Sequence, residues 1–258
     1  MTIYNKNYFE QVPGLNSSKE QRWKYLQIKP AFDDFCKIHK VQPINILEVG
    51  AGTGAVLQQL IRKADNNVTI KPTALEINPS SAKIIKKNIK NIKFFLGDIT
   101  VKTPFPNKKF DLCLGIDLLE HLKNIDSGLK EISRISNYAI FKIPVEKTLL
   151  LFLFNVISLG HYRKNMVSEI GHIHWFSLHS LIKFLQARDN IISIRYTNIS
   201  LYQYQKYTRR PLTMKNMLLK LFYGLSKAVF QISPRLNALL FCEHLVILVE
   251  CQSGHKNN

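Results

Sequence analysis

Glu48, Gly50, Gly52 and Gly54 stand on alternate positions of the run Ile46-Leu47-Glu48-Val49-Gly50-Ala51-Gly52-Thr53-Gly54-Ala55. Glycine permits positive φ and lets a ligand approach the backbone without meeting a Cβ. Val56, Leu57 and Leu60 follow at helical spacing. A strand, a glycine turn and a helix in this order are expected to offer bare N–H groups and a helix N-terminus to a ligand. Gly50-x-Gly52-x-x-Ala55 also satisfies the dinucleotide pattern, so the glycines by themselves leave a pyrophosphate open. Glu48 is the sharper feature, because a carboxylate beside the turn suits a cationic ligand end better than a pyrophosphate. The bland alternative is a tight strand-to-helix turn with no ligand.

More acids follow at the ends of later strands. A second strand, Val68 to Ile77, closes on Ala74-Leu75-Glu76-Ile77. Glu76 stands about 20 residues past the glycine turn, the spacing at which an acidic residue meets ribose hydroxyls. A carboxylate can accept from both hydroxyls at once. Ile92 to Leu96 reads as a third strand, ending in Gly97-Asp98-Ile99. Alone, that ending is an ordinary turn. Phe110 to Asp117 reads as a fourth strand, and Leu118-Leu119-Glu120-His121-Leu122 as the opening of the next helix. His121, His172 and His174 all fall in segments expected near the carboxyl edge of the sheet. Histidine is the apt general base at neutral pH. His172 and His174 have the same parity and share a face in extended chain. A metal is not expected, because no carboxylate stands at supporting spacing from the H-x-H pair.

The run E-x-G-x-G-x-G resembles motif I of class I S-adenosylmethionine (SAM)-dependent methyltransferases. The stretch "FDLCLGIDLLEHL" resembles the motif after strand four of the methyltransferase type 11 group, which includes ubiquinone-biosynthesis enzymes. "GHIHWFS" followed by "LHSLIKFL" is similar to the same group. The motifs from Glu48 to His121 stand in the family's order. The resemblance implies a seven-stranded, doubly wound α/β sheet of order 3-2-1-4-5-7-6, with strand seven antiparallel. It also implies SAM as cofactor. Gly50, Ala51, Gly52 and Gly54 would shape its methionine end, with Glu48 supporting the ammonium. Glu76 and Ile77 would take the ribose side, and Asp98 with the Ile99 backbone would take the adenine. Ile116 and Asp117 would line the pocket below the methyl donor. In related enzymes the "EH" pair lies close to the cofactor, which brings His121 near the site. His172 or His174 would then face the acceptor.

Positioning these residues requires alternating strands and helices from residue 44 onward, which imply a parallel sheet wound on both faces. Residues 1–40 read as an N-terminal helical cap. Tyr4, Tyr8 and Phe9 precede a helix from Ser18, marked by Trp23, Leu26, Ile28 and Phe32, whose pattern Pro30 interrupts. The core spans 41–200. Its later parts are a fifth strand at Tyr138 to Ile143, an apolar segment from Leu149, a helix capped by Ser177 and a sixth strand at Ile191 to Tyr196. Residues 201–241 form an insertion, and 242–258 hold the last strand and a tail. Within the insertion, Met214, Met217, Leu218, Leu221, Phe222, Leu225, Ala228 and Val229 recur at helical spacing, opposite Lys215, Lys220 and Lys227. That is a basic amphipathic helix. It is expected to pack its apolar face on the domain, to touch a membrane surface or lipid-like substrate, or to touch a nucleic acid.

The chain carries 36 basic and 18 acidic residues, a net charge of +18. No acidic residue occurs between Asp189 and Glu243. Such asymmetry implies an anionic neighbour or simple solubility charge. A nucleic-acid substrate is disfavoured: Ile116-Asp117-Leu118-Leu119 stands where an N/D-P-P-Y tetrad would, and no Pro-Cys dipeptide is present. The four cysteines form no C-x-x-C pair, which argues for a reducing compartment. The longest apolar run, Leu149 to Ser158, is shorter than the roughly 20 residues a bilayer needs. A cytoplasmic enzyme, peripheral at a membrane through 201–241, is expected. Its acceptor is a small or glycolipid-like molecule methylated on oxygen. The alternatives are a non-catalytic SAM-binding protein of the same fold, regulatory or membrane-associated, and a nicotinamide oxidoreductase.

Overall fold

Seven strands form one sheet in the order β3-β2-β1-β4-β5-β7-β6 in a computed structural model that describes residues 18–211 and 213–252. The strands are β1 (Ile44–Val49), β2 (Ile70–Glu76), β3 (Lys93–Leu96), β4 (Phe110–Ile116), β5 (Ser136–Val145), β6 (Asn190–Tyr196) and β7 (Glu243–Glu250). β1 to β5 are parallel, and β7 runs antiparallel to both neighbours. The expected order and the reversed last strand are therefore present. Strands buried on both faces read as near-continuous apolar runs. β1, β4, β5 and β7 do so, with Ile44, Ile46, Leu47, Leu112, Leu114, Ile140, Phe141 and Ile247 fully enclosed.

Helices cover both faces: α1 (Ser18–Ile38), α2 (Ala55–Lys63), α3 (Ser81–Asn88), α4 (Ile125–Ile135), α5 (Leu149–Ile157), α6 (His161–Asn165) and α7 (Leu178–Gln186). α1 does not break at Pro30 but runs through it. Pro30 and Leu26, whose carbonyl loses its intrahelical donor, are both exposed. Water can satisfy that carbonyl, so the proline is tolerated. The opposite face of α1 buries Tyr25, Ile28, Phe32 and Phe35. Tyr4, Tyr8 and Phe9 lie outside the described residues. Ser177 caps α7 as expected, accepting from the Ser180 N–H. Leu119–His121 is a single 3₁₀ turn and not the opening of a helix. α4 starts only at Ile125, after Asn124 caps it by accepting from the Ser127 N–H. An asparagine at that position stops the turn and restarts the helix.

The insertion comprises α8 (Ile199–Thr208), α9 (Met214–Ile232) and α10 (Pro234–Leu240). A buried polar chain fastens it to β7. Ser200 and Ser226 share a hydrogen bond, Ser226 donates to Asn237, and Asn237 donates to the Glu243 carboxylate. Glu243 also accepts from Thr197 Oγ1 and the Ile199 N–H. The face of α9 that packs holds Phe222, Tyr223 and Ser226. The expectation of an apolar stripe packed on the domain is therefore wrong for most of that stripe. Met214, Met217, Leu218, Leu221 and Leu225 are all more than half exposed. The serine and asparagine network recruits the more polar side inward and turns the aliphatic side out.

Candidate functional site

The glycine turn is fixed by backbone geometry that side chains resist. Gly50, Gly52 and Gly54 adopt φ of 65°, 54° and 69°. A Cβ on Gly54 would also stand 3.2 Å from Ile89 Cδ1. The turn does not, however, offer the bare N–H groups expected of it. The Gly50 N–H donates to the Leu75 carbonyl and the Gly54 N–H to the Ala51 carbonyl. The Gly52 N–H donates to Glu76 Oε2 at 2.8 Å. With these donors engaged and two carboxylates close by, the turn is poorly suited to a pyrophosphate.

A cavity of about 430 Å³ opens beside this turn, at the carboxyl ends of β1, β2 and β4. It is within the usual size of a small-molecule site. Glu48, Gly50, Ala51, Gly52, Glu76, Ile77, Asp98, Ile99, Ile116 and Asp117 all line it, as do His121 and His172. Gly54 and His174 do not. Gly54 sets the turn from behind. His174 donates from Nε2 to the Leu122 carbonyl and stacks on Phe176.

The acids on the β1–β3 side are held by backbone. Glu76 Oε1 accepts from the Asn78 N–H while Oε2 takes Gly52. Each oxygen keeps a second acceptor site. Asp98 Oδ1 accepts from the Thr100 N–H and hydroxyl. Glu48 is almost fully enclosed and its Oε2 has no hydrogen-bond partner among the described residues. Burial pushes its carboxyl up to about 8, against the pull of the Leu57 N–H. A ligand cation beside it would favour the ionised form. Ile77, 46% exposed at the rim, offers an apolar face for a planar ring.

The β4–β5–β7 side is built from side-chain pairs. Asp117 sits at φ 49°, a left-handed conformation that aspartate tolerates better than most residues. Its carboxylate pairs with the fully buried Lys142 and, at 3.0 Å, with Lys24 of α1. Burial opposes its charge, but those two ammonium groups outweigh the burial and hold the carboxyl well below its ordinary range. Lys142 also donates to His244 Nδ1 at 2.6 Å. Burial first, and then Lys142, keep His244 neutral well below its ordinary value. Sequence reasoning did not single out Lys24, Lys142 or His244. The available signal was a lysine inside the apolar strand Ala139-Ile140-Phe141-Lys142-Ile143, which calls for a buried counter-charge.

Next to this cluster lie Glu120, His121 and His172. Glu120 is fully buried, and burial together with the Asp117 charge raises its carboxyl well above the ordinary value. His121 Nδ1 lies 3.0 Å from the Gly171 carbonyl, which can only accept, so Nδ1 carries the proton. Burial, then the neighbouring His172, lower this imidazole to about 4. His172 Nδ1 donates to the buried Glu146 carboxylate at 2.9 Å. In the neutral tautomer that Glu146 orients, Nε2 is the acceptor nitrogen of His172. The arrangement can accept a proton from a hydroxyl brought into the pocket.

Residues 47–137 match the family described as "Methyltransferase domain". Over 91 residues the chain is 36% identical to N-methyltransferase 4 of Papaver somniferum, covering 34% of this chain and 25% of that one. Over 169 residues it is 25% identical to the ubiquinone biosynthesis O-methyltransferase of Pelagibacter ubique (strain HTCC1062), covering 61% and 62%. The chain thus spans less than two thirds of the length of either relative. In structure it is similar to geranyl diphosphate C-methyltransferase from Streptomyces coelicolor A3(2), with a TM-score of 0.57 and 10% identity over 94% of this chain and 88% of that one. That likeness concerns the fold. The glycine turn and the strand-end acids Glu48, Glu76 and Asp98 all fall within the stretch that the methyltransferase domain family matches.

Proposed function

We propose that this chain is a SAM-dependent methyltransferase that moves a methyl group to the oxygen of a small-molecule or glycolipid-like acceptor. The observation that carries the reading is the Glu76 carboxylate anchored between the Gly52 and Asn78 N–H groups. It puts an acceptor for a ribose diol beside a turn whose own N–H donors are used internally. In this reading Glu48 would take the ammonium, Asp98 and Ile99 the adenine, and Ile116 with Asp117 would line the pocket below the methyl donor. This division suits a cationic nucleoside and argues against a nicotinamide dinucleotide.

SAM supplies an activated methyl group, so the protein's work is to align the acceptor and exclude water. α1 contributes Glu20, Gln21 and Lys24 to the pocket wall. Lys142 and Lys24 lock Asp117, which holds the turn after β4 in its left-handed conformation. His172, oriented by Glu146, is the group that takes a proton from an acceptor hydroxyl, with His121 beside it at 4.9 Å between ring centres. His174 serves to hold the segment. The relatives include both an N- and an O-methyltransferase; the base-equipped pocket favours oxygen, because a hydroxyl must lose its proton to react.

Calorimetric titration of S-adenosylhomocysteine into the purified chain tests the cofactor. Micromolar binding is expected, weakened roughly 10- to 100-fold by Asp98→Ala, the worth of a charge-assisted hydrogen bond. No binding by the folded wild type would end this reading and return the pocket to some other ligand. Binding without methylation of any extract would favour a non-catalytic SAM-binding role.

A contact with anionic membrane accompanies the reading. No helix among the described residues is long and apolar enough to cross a membrane. Leu218, Leu221 and Leu225 of α9 nevertheless face outward, as do Phe152, Phe154 and Ile157 of α5. α5 packs beside α10, and α10 beside α9. The exposed aliphatic and aromatic side chains therefore belong to neighbouring helices in a region with a large excess of lysine and arginine. That combination suits the surface of an anionic bilayer. Flotation with phosphatidylglycerol vesicles, and none with phosphatidylcholine vesicles, is the expected result; indifference to both would remove the membrane from the proposal.

A further inference from the structure

We infer that Glu120, His121 and His172 form a divalent transition-metal site at the acceptor end of the pocket. Each offers one ligand atom, and the three atoms lie within 4.8 Å of one another. Metal bonds of about 2.1 Å space neighbouring ligand atoms roughly 3–3.5 Å apart, so small side-chain rotations close the set.

Three independent features point the same way. First, both Glu120 oxygens are buried and have no hydrogen-bond partner among the described residues. A buried carboxyl without a partner either stays neutral or takes a cation. Lys142 and Lys24, the nearby cations, are already engaged by Asp117. Second, each imidazole donates its Nδ1–H to an oxygen: His121 to the Gly171 carbonyl and His172 to Glu146. That is the outer-shell arrangement that orients metal-binding histidines and directs Nε2 at the ion. Third, the backbone ties the two pieces together. The Ile173 and His174 N–H groups both donate to the Glu120 carbonyl, at 3.0 and 3.2 Å. Arg163 grips the His172 and Ile173 carbonyls from the other side. The ligands are thus held before any ion arrives.

Two imidazoles and one carboxylate select zinc, cobalt, manganese or iron(II) over magnesium and calcium, which prefer oxygen. All three residues line the cavity, so the coordination positions they leave open face the pocket. There the ion would take an acceptor hydroxyl oxygen as a further ligand and lower its pKa; His172 would then be a ligand in place of a base, and the hydroxyl proton would leave to solvent water. That role rests on the methyl-transfer reading; the site itself rests on geometry alone.

The test is calorimetric titration of chelator-stripped, tag-free protein with Zn²⁺ and Co²⁺, with visible absorption of the Co²⁺ form as a second readout. One ion per chain at micromolar affinity or tighter is expected, with a Co²⁺ spectrum of nitrogen and oxygen ligation. Glu120→Gln and His172→Ala should each weaken binding at least tenfold, and Glu146→Gln by roughly tenfold through the outer shell. His179→Ala, at an exposed histidine of α7 outside the cluster, should leave binding unchanged. If Glu120→Gln does not fold, His172→Ala on the pocket wall carries the comparison. Absence of saturable binding, or binding indifferent to both ligand substitutions, would overturn the site and leave Glu120 as a buried neutral acid. Titrating S-adenosylhomocysteine into the same preparations separates the two readings. Metal without nucleoside binding sinks the cofactor assignment alone, and the converse sinks the metal site alone.

Discussion

The two halves of the pocket are built by different means. On the β1–β3 side, Glu76 and Asp98 each stand at the end of a strand and are fixed by backbone N–H groups of their own turn or, for Glu76, also of the turn after the adjacent β1. Glu76 takes Gly52 and Asn78, and Asp98 takes Thr100. On the β4–β5–β7 side, the charged groups hold one another across long stretches of chain. Asp117 meets Lys24 and Lys142, Lys142 meets His244, and Glu146 meets His172. The first half needs only its own turns and the β1–β2 pairing to be correct. The second needs the whole sheet and α1 in place before any of its charges is compensated. Loss of a group from the first half should therefore cost ligand affinity, and loss from the second should cost folding.

Lys142→Met makes the sharpest version of that contrast. It leaves Asp117 buried against a single ammonium, Lys24, and removes the donor to His244. Breaking a buried pair costs about 3–5 kcal/mol, and because Lys24 remains, about 3 kcal/mol is expected in urea unfolding. Asp98→Ala, by comparison, should leave the unfolding midpoint nearly unchanged. Equal losses of stability from the two substitutions would dissolve the distinction.

The same contrast explains what could be read from the chain. The glycine turn, Glu48, Glu76 and Asp98 are local signals at fixed offsets from strand ends, and all but Gly54 of the residues assigned to the cofactor line one cavity. Strand order followed from the family resemblance. Periodicity alone would have given a doubly wound sheet with its order open. Lys24, Lys142 and His244 were missed because each makes sense only beside Asp117, at sequence separations no window spans. The H-x-H pair misled for a related reason. His172 bonds Glu146 and meets the His121 ring on the cavity wall, whereas His174 bonds the Leu122 carbonyl away from the cavity. α9 was misread because helical spacing identifies a stripe without saying which side will be covered. The buried serine and asparagine network decided that.

Glu48 is the exception within the backbone-fixed half, since its Oε2 is enclosed without a partner among the described residues. Its folded carboxyl titrates at about 8 and its unfolded one near 4.5. Between those values the folded state holds the extra proton, so stability falls as pH rises. On this group's account, stability is full below about 4.5 and lost by the time pH passes about 8. The slope is about 1.4 kcal/mol per pH unit at most. Unfolding of wild type and Glu48→Gln between pH 5 and pH 9, taken as rough bounds of that window, isolates the contribution from every other carboxylate. The variant should gain on wild type up to about pH 8 and level off above it. A constant difference would mean that Glu48 is already ionised in the free protein.

The smallest expected change tests the outward face of α9. Leu221 and Leu225 are 62% and 55% exposed, while Ser226, one position on, is buried in the polar chain to Glu243. Leu221→Gln with Leu225→Gln should move the unfolding free energy by no more than about 0.5 kcal/mol, as exposed substitutions do. Ser226→Ala, which strands Ser200 and Asn237, should cost about 1–3 kcal/mol. If the aliphatic face meets a bilayer, the leucine pair should abolish flotation with anionic vesicles while S-adenosylhomocysteine affinity stays put. A loss above about 1 kcal/mol from the leucine pair would instead place that face under a covering segment of the chain itself, since uncovered leucines contribute little to folding. The insertion would then be a structural brace for β7 and not a surface for lipid.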